Sequence, residues 1–271
     1  MQPDILAGLN PDLYPSHSHH QEEIADYFGQ SILRQMSATE KKRLAALDLF
    51  FIAFTNRCGS TLLAELLNQG GLGIPPRSET FNGDLVVASC EEHNIKSFTD
   101  YFLRVVEGWS KNQRVGFKIG ARQLFWLTRS GLLSQFRGVK IINSRRRDRV
   151  AQAVSYYLAE QTGQWHSQME KGSDVEHIPY CREGILGCLQ TIHHSQQLIN
   201  YYADIHNTPI IGVDYEDILQ QPDREMLRIA DFLGFAPDDA APVSLDDVAI
   251  KQQRNEHSQG LVDLFRQEFF G

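Results

Sequence analysis

Four short apolar runs, Leu49 to Phe54, Val115 to Ile119, Val139 to Asn143 and Pro209 to Val213, alternate with stretches of helical periodicity, and that alternation leaves few folds open. Phe, Ile and Val dominate the runs without strict polar–apolar alternation, the pattern of strands covered on both faces. Between and after them lie apolar stripes at helical spacing: Leu62, Leu63, Leu66 and Leu67, stopping at Gly70-Gly71; Val150, Val154 and Leu158; and Met226, Ile229, Ala230 and Leu233. The order predicts an α/β domain, a central and mainly parallel sheet with helices on both faces. Ligands of such sheets collect at the carboxyl ends of the strands. With 271 residues the chain is long enough for one large domain or two small ones, at about 100–200 residues each.

The first run leads straight into Thr55-Asn56-Arg57-Cys58-Gly59-Ser60-Thr61-Leu62-Leu63. A strand, a short turn with a glycine, two hydroxyl residues and a helix aim backbone N–H groups and a helix N-terminus at an anion. Gly59 removes a side chain where the backbone would approach a phosphate, Ser60 and Thr61 suit capping or phosphate oxygens, and Arg57 adds a fixed bidentate charge. A helix cap beside a solvated arginine is the plainer reading of the same residues. The loop lacks the lysine and following hydroxyl of G-x-x-x-x-G-K-[ST], which argues against an ordinary ATPase or GTPase.

The third run continues into Ser144-Arg145-Arg146-Arg147-Asp148-Arg149. This cluster is notable because the chain as a whole is acidic, with 26 Lys and Arg against 34 Asp and Glu and a net charge of -8. A general nucleic-acid binder is therefore not expected, and any anion site must be local. Arg147 and Ser155 are eight positions apart, about 12 Å along a continuous helix. One phosphate reaches both only if Arg147 sits in the turn before the helix. A solvated run of charge remains the competing reading.

Residues 1–46 read as an N-terminal extension, partly helical from about Glu22 to Leu33, with a patch of His17, His19 and His20 that reads as a solvated turn. The start has no basic segment followed by an apolar one, so no signal peptide is expected, and no apolar run approaches the ~20 residues of a membrane span. Cys58, Cys90, Cys181 and Cys188 have no C-x-x-C pair, which suits reduced thiols in a cytoplasm. Tyr215-Glu216-Asp217 closes the last run. Neighbours on a strand point to opposite faces, so Glu216 and Asp217 read as acids at a helix start.

Arg147 and Ser155 in Ala-Val-Ser-Tyr-Tyr resemble the element with which sulfotransferases hold the 3′-phosphate of 3′-phosphoadenylyl sulfate (PAPS). Arg57-Cys58-Gly59-Ser60-Thr61-Leu62-Leu63 resembles the loop for that donor's 5′-phosphosulfate. The likeness is to bacterial sulfotransferases of the trehalose-sulfotransferase type. It extends through Pro76-Arg77-Ser78-Glu79-Thr80-Phe81, Gly116-Phe117-Lys118, Gln152-Ala153-Val154-Ser155, Gln161-Thr162-Gly163-Gln164-Trp165-His166, Val213-Asp214-Tyr215-Glu216-Asp217-Ile218 and Phe232-Leu233-Gly234, in the family's order over roughly residues 49–235. Cys58 stands where serine is usual, and the first 46 residues have no counterpart.

The resemblance implies a P-loop-like sulfotransferase fold over residues 47–271. PAPS is the implied donor, adenosine 3′,5′-bisphosphate (PAP) the product, and no metal is required. The acceptor would be a hydroxyl-bearing small molecule, a carbohydrate or glycolipid. Donor-binding residues would be Arg57, Cys58, Gly59, Ser60, Thr61, Leu62, Arg147 and Ser155. Glu79 would be the general base, with His166 as a second candidate. Arg57 and Lys118 would stabilise the leaving phosphate, although Lys118 reads equally as structural. Trp165 would offer a face to a sugar or pack in the core. Acceptor contacts are expected from loops at residues 80–112 and 164–185, and relatives of this kind can form dimers, which makes a homodimer possible here. The rivals are an ATP-dependent small-molecule kinase with an atypical P-loop and a non-catalytic nucleotide-binding module.

Overall fold

The computed structural model describes residues 18–76, 79–165, 175–236, 239, 241–248 and 255–270. Four parallel strands, β1 (Asp48–Phe54), β2 (Arg114–Gly120), β3 (Gly138–Arg145) and β4 (Ile210–Asp214), form one sheet in the order β2-β1-β3-β4. The four apolar runs supply these strands, within a residue or two at each end. Phe54 lies in register with Gly120 on one side and Ser144 on the other, and Arg145 with Asp214. The carboxyl ends are therefore level, and everything that follows them meets at one edge of the sheet.

The central strand β1 is apolar on both sides. Leu49, Phe51 and Ala53 point into one core with Val115, Phe117 and Ile119 of β2, while Phe50 and Ile52 point into the other. On the first face lie α1 (His19–Phe28), α4 (Gly83–His93), α5 (Phe98–Trp109), α6 (Ala121–Arg129) and α8 (Arg182–His206). On the second lie α3 (Ser60–Gln69), α9 (Tyr215–Gln220) and α10 (Pro222–Leu233). Pro222 starts α10 and Gly234, at φ 81°, ends it, the asymmetry expected of helix termini. A third cluster joins α7 (Arg149–Thr162) and α8 to α11 (Glu256–Phe270) through Val154, Leu158, Ile185, Leu261 and Phe265.

Two stretches differ from the sequence expectation. The N-terminal helix spans His19–Phe28 and ends at Gly29, whose φ of 54° breaks the helix four residues before Leu33. His20 is part of it: its ring accepts from the Gly83 N–H at 3.1 Å and lies 3.1 Å from Glu23. The helix α2 (Ala38–Leu44) follows behind a Ser37–Glu40 capping box, and Ile24, Phe28 and Leu44 are buried in the same cluster as β1. Residues 80–112, expected to supply acceptor loops, are instead mostly α4 and α5. Their Phe81, Val86, Cys90, Phe98 and Phe102 are buried in that core, where no ligand reaches them. Among the described residues no helix is long and apolar enough to cross a membrane.

Candidate active site

The turn between β1 and α3 is built by two left-handed residues, Arg57 at φ 63° and Gly59 at φ 91°. Such angles suit glycine and strain an arginine. Gly59 is the N-cap of α3 and has no side chain with which to occupy the first-turn N–H groups, which lack intrahelical partners. A second constraint holds this glycine in place. A Cβ there would sit 2.4 Å from Cδ2 of Tyr215, so the ring, as much as any ligand, excludes a side chain.

Gly59, Ser60, Thr61 and Leu62 line a cavity of about 500 Å³ at the carboxyl edge of the sheet. Arg57 and Ser155 line it too. Although 98 residues apart in the chain, they are joined by a 2.9 Å bond from Nε of Arg57 to Oγ of Ser155, and the same guanidinium donates to the carbonyl of Trp165. Burial, and then the charge of nearby Arg146, push the Arg57 guanidinium down to about 10. Gln152, fully buried on α7, donates from Nε2 to Oγ1 of Thr55 at 2.8 Å and to the carbonyl of Asn56 at 2.7 Å. That pair fixes the turn to the helix that carries Ser155.

Glu79 also lines the cavity, with its side chain 38% exposed. Lys118, buried at the end of β2, places Nζ 3.0 Å from Oγ1 of Thr61 and 3.5 Å from the Glu79 carboxylate. The lysine does not itself line the cavity. It links the carboxylate to the start of α3 from behind.

Two expected donor contacts are placed elsewhere. Cys58 is buried, its thiol directed at Oγ of Ser144 at 3.3 Å, and its N–H closes a tight turn on the carbonyl of Thr55 at 3.3 Å. That N–H is spent within the loop. Arg147 is half exposed and does not line the cavity: its guanidinium grips both oxygens of Asp217 at 2.9 and 3.0 Å. The arginine that does line the cavity is its neighbour Arg146. His166, together with Arg77 and Ser78, lies outside the described residues.

Three parts of the wall went unread in the sequence: Arg146, Tyr215 and α11, which contributes Ser258, Gln259 and Val262. Tyr215 starts α9 at the level edge of the sheet, where the register of β3 and β4 puts it opposite the arginine run. Its position at a strand end was the available signal. The α11 contribution had none, since 22 residues separate Leu233 from Glu256. Burial raises the Tyr215 phenol above its ordinary value, so it is a donor at neutral pH.

The start of α3, two guanidiniums (Arg57 and Arg146) and the Glu79 carboxylate thus line one cavity, and groups of that kind can hold an anion. Residues 129–268, just over half of the chain, match the family model described as Stf0 sulphotransferase. No curated protein matches. Among solved structures the chain is similar to a sulfotransferase from Alicyclobacillus acidocaldarius, at 16% identity and a TM-score of 0.46, covering 81% of this chain and 91% of that one. It is also similar to the sulfotransferase domain of the Synechococcus PCC 7002 olefin synthase, at 15% and 0.41, covering 81% and 94%. A retinol dehydratase solved with androsterone and inactive cofactor PAP matches at 17% and 0.37, covering 93% and 70%.

Proposed function

The chain belongs to the Stf0 sulphotransferase family, and from that premise we propose that it transfers the sulfuryl group of PAPS to a hydroxyl of a carbohydrate or glycolipid. The observation that carries this reading is the Arg57–Ser155 contact at the head of α3, in a cavity that Glu79 also lines. Two separated segments thereby face a single ligand.

In the reaction the acceptor oxygen attacks sulfur while the bond from sulfur to the bridging oxygen breaks. PAP departs with the negative charge on its 5′-phosphate. Glu79 takes the proton of the acceptor hydroxyl, the task a carboxylate performs from about 2.6–3.2 Å. Arg57 and the first N–H groups of α3 meet the charge that develops on the departing phosphate, already in place and withdrawn from water. Lys118 holds Glu79 and Thr61 in their relative positions. Trp165, 42% exposed and 5.9 Å from the Tyr156 ring, offers its face to a sugar at the cavity wall. The free thiols Cys58, Cys90, Cys181 and Cys188 support a reducing cytoplasm as its place of work.

Sulfuryl transfer from labelled PAPS to a panel of sugars and glycolipids tests the reading, with PAP and ADP titrations beside it. PAP should bind tighter than ADP, and Glu79→Gln should lower kcat on the order of 10²–10⁴-fold while PAP affinity survives. Phosphoryl transfer from ATP in place of sulfuryl transfer would overturn the donor, and an unchanged kcat in Glu79→Gln would overturn the base.

A further inference from the structure

We infer that the N-terminal extension belongs to the catalytic apparatus: its helix α1 holds the turn that carries Glu79, and His20 is the positioning residue at the joint. The inference rests on the reading above that Glu79 is the base. It gives a task to a stretch that lies outside the family match at residues 129–268.

Glu79 opens a tight turn that leads into α4, closed by a 2.7 Å bond from the Asn82 N–H to the Glu79 carbonyl. Phe81 anchors it, its ring 5.3 Å from that of Phe117 on β2 and 6.1 Å from that of Phe102 on α5. The polar side chains of the turn do not fasten it. Among the described residues Oγ1 of Thr80 and Oδ1 of Asn82 are buried without a partner, and Asn82, the N-cap of α4, makes no side-chain cap. The hold comes from three other elements, each gripping one backbone group. Tyr101 of α5 donates to the Thr80 carbonyl at 2.7 Å, Gln123 of α6 donates to the Phe81 carbonyl at 2.8 Å, and His20 of α1 accepts from the Gly83 N–H at 3.1 Å. That N–H is the first of α4 and has no partner within its own helix. The extension thus performs the capping that Asn82 leaves undone.

The joint is close-fitting. A Cβ on Gly83 would lie 2.7 Å from Cβ of Glu23, so a glycine is what lets α1 lie against the start of α4. Ile24 and Phe28 fix α1 in the same core as Val86 and Cys90 of α4, and Nε2 of His19 stands 2.9 Å from the Glu23 carboxylate. Nδ1 of His20 also lies 3.1 Å from Oε2 of Glu23. One ring nitrogen cannot accept from Gly83 and donate to Glu23 at once, so it caps α4 only while it carries no proton. The Glu79 carboxylate has a loose partner of its own, Nζ of Lys118 at 3.5 Å, a long distance for a hydrogen bond. Its placement therefore follows the backbone of the turn, and a shift of about 1 Å at a reacting group can cost about 10²-fold in rate.

The test compares the wild type, His20→Ala and His20→Asn as full chains. Three quantities are measured: amide hydrogen exchange over residues 79–86, PAP affinity by calorimetry, and sulfuryl transfer from labelled PAPS to the sugar and glycolipid panel, with hydrolysis of PAPS by water beside it. Asparagine keeps an acceptor oxygen near the place of Nδ1, and alanine does not. His20→Ala should exchange several-fold faster across residues 79–86 and lose on the order of 10-fold in kcat, a part of the 10²–10⁴-fold that a placed base supplies, with PAP affinity unchanged. His20→Asn should recover most of both losses. Exchange and kcat at wild-type levels in His20→Ala would overturn the inference. So would a fall in PAP affinity alongside kcat, or an asparagine variant no better than alanine, since either marks His20 as a general support of the fold. Undiminished turnover in Glu79→Gln is the separate failure of the base assignment, and a wild type without sulfuryl transfer that of the donor reading. In both cases the exchange data alone decide whether α1 holds the turn.

Discussion

Two turns at the same edge of the sheet have the same construction and opposite consequences. Each follows a central parallel strand, β1 or β3, and each opens a helix. At the β1–α3 turn the cap is Gly59, which contributes no acceptor, and no carboxylate of the described residues accepts from the first turn of α3. At the β3–α7 turn Asp148 caps from the chain itself and Glu216 reaches across from α9 to take two more N–H groups. A helix N-terminus attracts anions in both cases. It is open to a ligand where the protein supplies no acceptor, and it ties two elements together where the protein supplies one. At the glycine turn the backbone N–H groups stay open to a ligand, whereas at the β3 end they are taken by Asp148 and Glu216.

Gly59→Ala should break that contrast most severely. The new methyl must displace the Tyr215 ring from 2.4 Å, and a left-handed non-glycine residue costs roughly 1–3 kcal/mol by itself. We expect a loss of several degrees in Tm together with loss of detectable PAP binding. Adding Tyr215→Ala should restore part of the Tm, which a purely dihedral penalty would not permit. Gln152→Leu comes next. It leaves Oγ1 of Thr55 and the Asn56 carbonyl without their buried donor, at about 1–3 kcal/mol, and loosens the turn against α7. Equilibrium unfolding should register the cost, and kinetics should show a raised KM for donor with kcat nearly retained, the split expected of a positioning residue. Equal losses in both would place Gln152 in the chemical step.

The strands and both turns were legible because they rest on local facts. Phe, Ile and Val in short runs make buried strands wherever helices cover them, and a glycine followed by two hydroxyls at a strand end makes a helix start. Arg57, Ser60, Thr61, Glu79 and Ser155, picked out by those facts together with a resemblance, all line the cavity. What stayed hidden depends on register. Which of three consecutive arginines faces the cavity is set by how β3 lies against β4, where Arg145 is level with Asp214, and by which carboxylates α9 then offers. Spacing to Ser155 selects Arg147 only if each arginine is free to turn inward. The misreading of residues 80–112 has a similar cause: a stretch bearing Phe81, Phe98 and Phe102 has the apolar content of a core layer, and only the packed sheet shows which face they cover.

The smallest expected effect is the sharpest test of the filled turn. Glu216→Gln keeps an oxygen that accepts from the residue 147 and 148 N–H groups but removes the charge near Arg147. The side chain is about a quarter exposed, so solvent already screens that charge, and a cost of about 0.5–1 kcal/mol in urea unfolding is expected. PAP affinity should stay close to the wild type, because these N–H groups already have an acceptor in the protein. Suppose instead that affinity rose several-fold. Glu216 would then be a competitor holding a phosphate seat that the nucleotide can take, and the two turns would differ in occupancy rather than in task. A drop in stability without change in affinity keeps them distinct, with the carboxylate tying the start of α9 to the turn that follows β3.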